Sequence, residues 1–280
     1  MTLRLLALFV VGTFALSACG GRQAPATTDS DAADTDTDTD ADADTDTDTD
    51  TDTDTDTDPS GCGAPPNLGT FYGNITSSVT ADAYVNDAGI AAALAAAPGT
   101  GEPIVDLSTS PLSISGATVV AVGFPEDTSF WIEDANGAIR AYFFAAPLQQ
   151  DLAPGDVVSF EITEIDNYAS DVEITGYQNF TVDSSGNPVR VQDGQGLTLD
   201  YATMGGRNFD VYGELVTDVG ECGPANCWLI SNGGTLTLVR LGSAGGTWVL
   251  GDCIHFVAPL SRFDGEMQYD MFNFDWFEYY

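Results

Sequence analysis

Beyond residue 60, four cysteines and the chain's single histidine are the residues best suited to chemistry: Cys62, Cys222, Cys227, Cys253 and His255. Cys222 and Cys227 bracket Gly-Pro-Ala-Asn, while Cys253 and His255 are two apart and share a strand face. Two chemistries compete for them. Cys222, Cys227, Cys253 and His255 are the ligand types of a tetrahedral zinc site. Alternatively, an even cysteine count in an exported chain makes disulfides, Cys222–Cys227 across a hairpin tip and, by elimination, Cys62–Cys253. The gap between Cys222 and Cys227 lies at the edge of zinc spacing, and oxidation competes outside the cytosol, so we expect disulfides and no metal. As a catalytic base, His255 needs a nucleophile in front and a carboxylate behind. The sequence holds no Gly-x-Ser-x-Gly, His-Glu-x-x-His or phosphate loop. Its carboxylates lack a recognisable paired context. We therefore expect a protein that is not an enzyme and carries no cofactor.

Binding chemistry has better candidates. Trp131, Arg140 and Tyr142 belong to the stretch SFWIEDANGAIRAYFF. Phe130 and Ile132 alternate with Trp131 and Glu133, and after an Asn136-Gly137 turn Ile139, Ala141 and Phe143 resume the alternation, which predicts a hairpin with one oily face. Trp131, Arg140 and Tyr142 then fall together on its outer face, where an aromatic pair beside a guanidinium can stack on a sugar ring, a peptide or a base. Cover by the linker or by a neighbouring domain is the competing expectation. A strand with Ile114, Gly116 and Val119 to Val122 precedes the hairpin. A fourth, with Val158, Phe160 and Ile162, follows the Pro154-Gly155-Asp156 turn, and Val172 and Ile174 start a fifth. Five short strands with turn signals between them predict a small closed barrel.

The residues Phe130, Ile132, Asp134, Gly137, Ile139, Tyr142, Leu152, Gly155, Asp156 and Val158 form a pattern that resembles the OB-fold domains of exported bacterial proteins, including those attached to extracellular nucleases. The resemblance implies the fold. It leaves the ligand open, because nuclease chemistry in that family belongs to accompanying domains. The pattern recurs: a shift of 97 positions superposes Ile114 on Val211, Gly116 on Gly213, Trp131 on Trp228 and Gly137 on Gly234. Ser231 then stands at the Asp134 position, and Trp228, Ile230, Thr237 and Val239 are expected on the outer face of a second barrel. The aromatic end of the chain, EMQYDMFNFDWFEYY, is expected to be its fifth strand with a bulge near Met271.

The chain's start predicts export. Arg4 precedes an apolar run from Leu5 to Leu16 that is too short to span a bilayer and is followed by small residues. Leu16-Ser17-Ala18-Cys19-Gly20 resembles the bacterial lipoprotein box, which implies diacylation of Cys19 and, with Gly20 next, an outer-membrane address on the periplasmic face or cell surface. Residues 31 to 58 alternate Asp with Thr or Ala and cannot offset the entropy of folding, so residues 20–61 are expected to be a disordered tether. Of 43 acidic residues, fifteen lie between Asp29 and Asp58, leaving 28 against five arginines and a balance near −23 beyond the tether, with no lysine at all. Single-stranded nucleic acid needs a positive groove.

The expected architecture is all-β. A lipoprotein signal peptide (1–19) and the tether (20–61) lead through a connecting segment (62–111), with at most one short helix near 86–97 capped by Asn86 or Asp87, into OB-like barrel 1 (112–184) and OB-like barrel 2 (185–280). The expected function is lipid-anchored binding or scaffolding of an unknown protein or glycan ligand, with the membrane reached through the lipid on Cys19. The alternatives are an accessory OB-fold module of a nuclease system that binds single strands, and a weak calcium or cation binder.

Overall fold

The computed structural model describes residues 61–65, 79–123, 128–222, 225–241, 247–271 and 276–280, so the expectations for Cys19 and the tether lie outside the described residues. The connecting segment forms β1 (Val79–Thr80), α1 (Ile90–Ala96) and β2 (Val105–Asp106). Then come β3 (Leu112–Val122), β4 (Ser129–Glu133), β5 (Ala138–Tyr142), β6 (Val157–Tyr168) and β7 (Asp171–Ser184). Two short strands, β8 (Val189–Arg190) and β9 (Gln192–Asp193), and one turn of helix, α2 (Tyr201–Met204), lead onward. The second set is β10 (Asn208–Cys222), β11 (Ala225–Asn232), β12 (Thr235–Leu241), β13 (Cys253–Phe263), β14 (Glu266–Met271) and β15 (Phe277–Tyr279).

Both sets close. In the first, β3, β4, β5, β7 and β6 are neighbours in that order and β6 returns to β3; β5–β7 is the one parallel pairing of the ring. In the second, β10, β11, β12, β14 and β13 repeat the order, with β12–β14 parallel. This is the strand order of two OB barrels in tandem. Alternation fills each interior: Ile114, Val119, Phe130, Ile132, Ile139 and Val158 in the first, and Phe209, Leu215, Ile230, Val239, Phe256 and Tyr269 in the second.

Helix α1 does plug the first barrel, with Ile90 and Ala93 wholly buried in its core. Its cap differs from expectation. Gly89, at φ 101°, is the N-cap. Asn86 instead donates to the Gly116 carbonyl, and Asp87 accepts from the Gly89 N–H. The helix start is served from the barrel: the buried Asp134 carboxylate accepts from the N–H groups of Ala88 and Ile90 and also from those of Asn136 and Gly137. One side chain thus fixes both the β4–β5 turn and the plug.

The gapless repeat is corrected by the pairing. Ile114 and Phe160 pair as Val211 and Phe256 do, but Gly116, at φ 74°, is an extra bulged residue, so beyond it Val119 corresponds to Leu215. The equivalence is fixed by the turn: the Gly155 N–H bonds the Val119 carbonyl as the Gly251 N–H bonds that of Leu215. The second hairpin is longer, and Ile132 opposite Val119 corresponds to Ile230 opposite Leu215. Trp228 therefore replaces Phe130 and packs on the core, and Ile230 and Val239 are wholly buried in it rather than on the outer face. The counterpart of Asp134 is Asn232, not Ser231. Asn232 is buried and likewise holds the chain entering its barrel, accepting from the Gly196 N–H and donating to the Gly194 carbonyl.

The chain's aromatic end divides. Strand β14 pairs with the lower half of β13 (Leu260 opposite Tyr269) and β15 with its upper half (Phe256 opposite Phe277), so four additional residues intervene near the predicted bulge. Trp276, just before β15, packs with Val120, Ala121 and Trp131 of the first barrel.

Candidate functional site

The two barrels share a third apolar cluster of their own. Val120, Ala121 and Trp131 from the outer face of barrel 1 pack with Val189 and Val191 of the linker and with Val257 and Trp276 of barrel 2. Strand β1 pairs parallel with β8 beside it, bringing the connecting segment into the same seam. Trp131 is 1% exposed. Of the three residues expected on an open stacking face, Arg140 and Tyr142 do join Trp131, with the guanidinium 5.0 Å from the indole and 4.9 Å from the phenol ring. The second barrel, however, covers the indole, because alternation makes the outer face of β4 apolar and a barrel cannot leave Trp131 beside Val120 in water. An open indole platform is thereby ruled out.

Around this cluster lie all five arginines beyond the tether. Arg140 binds Glu173 at 2.8 Å and bonds Ser129 Oγ. Arg190 binds Glu133 at 3.0 Å, and its backbone N–H reaches the Tyr84 hydroxyl. Arg207 Nε stands 3.7 Å from the same Glu133 carboxylate. Arg240 NH1 is 3.9 Å from Asp270 Oδ1, and Arg262 donates twice to the Ser170 carbonyl while lying 4.6 Å from the Tyr201 ring. Arg190 and Arg207 tie the linker to Glu133 of barrel 1 and Arg262 ties barrel 2 to Ser170 of barrel 1, whereas Arg140–Glu173 and Arg240–Asp270 lie within one barrel each. They also leave the outer surface to carboxylates.

The acids at the seam are desolvated more strongly than their partners compensate. Burial pushes Glu133 up to about 7 against the pull of Arg190 and Arg207. It pushes Asp171, which accepts from the Tyr201 hydroxyl, up to about 8. Glu173 and Asp270 are raised for the same reason. A carboxyl raised above its unfolded value of about 4 binds its proton more tightly when folded, so its contribution is complete below that value and is lost as pH rises through the folded one. The melting temperature is therefore expected to fall between pH 4 and pH 8, and Glu133→Gln with Asp171→Asn should flatten that slope. A melting series across this range checks it.

A cleft of about 380 Å³ opens on the seam's edge. Its walls come from the β4–β5 turn (Asn136, Gly137), from Arg140 on β5, from Asp171 and Val172 at the start of β7, and from α2 with Gly205, Gly206 and Arg207. Helix α2 is held there by Asp200, which caps the Ala202 N–H, and by Tyr201 bonding Asp171. Gly206, at φ 75°, lies against Ala138, where a Cβ would meet that residue's backbone at 2.9 Å. Sequence reasoning did not find Asp171, Tyr201 or Arg207. The available signal was the pair Gly205-Gly206 before one of five arginines in a lysine-free region.

The cysteines form Cys62–Cys253 and Cys222–Cys227, with Cα–Cα distances of 5.7 Å in each, so no thiol among these four remains for zinc. Among the described residues no group of three or more His, Cys, Asp or Glu side chains converges on a metal position. His255 is wholly buried, with Nε2 2.7 Å from Asp210 Oδ1 and Nδ1 2.9 Å from Glu278 Oε1. Burial lowers its pKa, but the hydrogen bonds to Asp210 and Glu278 and their charges more than offset this and raise it. A triad needs one ring nitrogen on a nucleophile; here both face carboxylates, and the imidazole fastens β15 to β13.

No protein-family model matches the chain, and no curated protein does. Among solved structures, the chain is similar to the tetrameric p202 HIN2 (13% identity, covering 64% of this chain and 95% of that one, TM-score 0.34). It is also similar to the p204 HINb domain (10% identity, 61% and 97% coverage, TM-score 0.30). The fold assignment itself rests on the strand order of the two barrels.

Proposed function

We propose that the chain is an exported, lipid-anchored binding protein that holds two fused OB barrels away from a membrane on an acidic tether, acting by binding or scaffolding rather than catalysis. The observation that carries export is the pair of disulfides, since such bonds persist in oxidising compartments. The apolar run before Cys19 and the Leu-Ser-Ala-Cys-Gly sequence supply the anchor. The Gly61 N–H bonds Glu214 and Cys62 bonds Cys253, so the tether's end is fastened to barrel 2 rather than hanging from barrel 1.

The reading as a nucleic-acid module is disfavoured by where the arginines lie. A single strand is held by cations along an open groove. In this chain the cations beyond the tether sit along the seam between acidic partners, and the outer surface carries the excess of carboxylates. Cell fractionation tests the proposal: the wild-type chain is expected in the membrane fraction, and a Cys19→Ser variant in the soluble exported fraction. A wild-type chain found in the soluble cytoplasm contradicts it.

A further inference from the structure

The cleft at the seam has a donor without an acceptor. Arg207 lines it, its side chain is 18% exposed, and among the described residues its guanidinium makes no hydrogen bond. Glu133 stands behind it at 3.7 Å from Nε, beyond hydrogen-bond distance, and shares its charge with Arg190. A guanidinium has five N–H donors in a plane that matches a carboxylate. The opposite walls are mixed. Leu94 and Val172 offer apolar surface, whereas the Asn136 amide, the Asp171 carboxyl and the Thr203 hydroxyl offer polar contacts.

Size and charge narrow the occupant. A space of about 380 Å³ is at the small end for ligand pockets, enough for one substituted ring and not for a polymer. A balance near −23 over the folded region penalises every added negative charge, so a singly charged ligand is favoured over a phosphate ester. A neutral ring would leave the Arg207 fork unanswered, and a wholly apolar acid would leave Asn136 and Asp171 so. We propose that this cleft binds a hexuronate, a monosaccharide with one carboxylate, through Arg207 to the carboxylate and through Asp171 and Asn136 to ring hydroxyls. Asp171 suits the role because burial pushes its carboxyl up to about 8, favouring the protonated form that donates without repelling the ligand.

The inference deepens the binding reading and rests on its premise that the folded region acts by binding. The test uses the purified full-length chain in detergent, with D-glucuronate and D-galacturonate at about 10 mM in a thermal-shift series, followed by calorimetry. One or both uronates are expected to raise the melting temperature, and glucose and galactose to leave it unchanged. Arg207→Gln should abolish the shift, and Arg207→Lys, which keeps the charge but loses the fork, should weaken affinity about tenfold. Ala202→Trp places bulk in the cleft from the exposed face of α2; it should abolish the shift while the ligand-free melting temperature stays that of the wild type. No response to either uronate, an equal response to the neutral sugars or to inorganic phosphate, or full binding by Ala202→Trp overturns the proposal. Such a failure leaves lipidation and export untouched, because fractionation of the Cys19→Ser variant reads those separately.

Discussion

Replacing Cys253 with Ser is expected to remove roughly 5 kcal/mol of folding stability, the largest single loss available outside the cores. The bridge to Cys62 spans 191 positions, so in the unfolded chain it closes a loop that contains barrel 1 and the first three strands of barrel 2. Loop-closure entropy grows with the logarithm of loop size, which gives about 5 kcal/mol here and about 2 kcal/mol for Cys222–Cys227, whose cysteines are five apart. Denaturant titration of the two variants decides it. Cys62→Ser and Cys253→Ser should each cost as much as the double variant, since either one opens the same loop. A larger loss from Cys222→Ser would show that strain or local packing, rather than the long loop, sets the order.

Trp131→Ala is expected to cost about 3–5 kcal/mol and to uncouple the barrels. The indole is buried among Val120, Val189, Val191, Val257 and Trp276, which come from barrel 1, the linker and barrel 2. Asn208 Nδ2, from barrel 2, also bonds the Val120 carbonyl in this layer. With the layer intact, the described region should unfold in one cooperative step, because neither barrel can leave without exposing the seam. Truncation should separate the transition into two, visible as a second calorimetric peak. Trp276→Ala, on the opposite side of the same cluster, should do the same. A single undivided transition in both variants would mean that the charged pairs, not the apolar layer, join the barrels.

Much of the fold could be read from local signals. Asn136-Gly137 marked the first hairpin, although neither residue takes a left-handed backbone there and the Asp134 carboxylate holds the turn through their N–H groups; Gly155-Asp156 and Gly251-Asp252 marked the same turn in each barrel because each closes onto a strand carbonyl. What escaped was register. The extra residue at Gly116 takes one position off the offset of 97 and the longer second hairpin adds two, so along β11 the count is out by one, and Trp228, which looked like the partner of Trp131, stands where Phe130 does. A one-residue slip moves a side chain from one face to the other, and pattern alone does not show a bulge and a longer hairpin that together leave such a slip.

The cleft escaped for a different reason. Asp171, Tyr201 and Arg207 come from three segments that are brought together only when α2 docks against barrel 1. For Trp131 the sequence left an open face and cover by the linker or the neighbouring barrel side by side, and the structure decides for cover. Outward alternation says only which way a side chain points from its own barrel. It does not say what lies beyond. By contrast the disulfide pairing was legible, since the short spacing of Cys222 and Cys227 left Cys62 and Cys253 for each other.

The most direct measurement of the central claim is metabolic labelling of cells with a clickable palmitate analogue, reading the wild-type chain beside Cys19→Ser. Label on the wild type, its loss in the variant, and a mature N-terminus at residue 19 are the predicted results. An unlabelled chain that keeps residues 1–18 would contradict the lipid anchor and with it the picture of two barrels displayed on a tether.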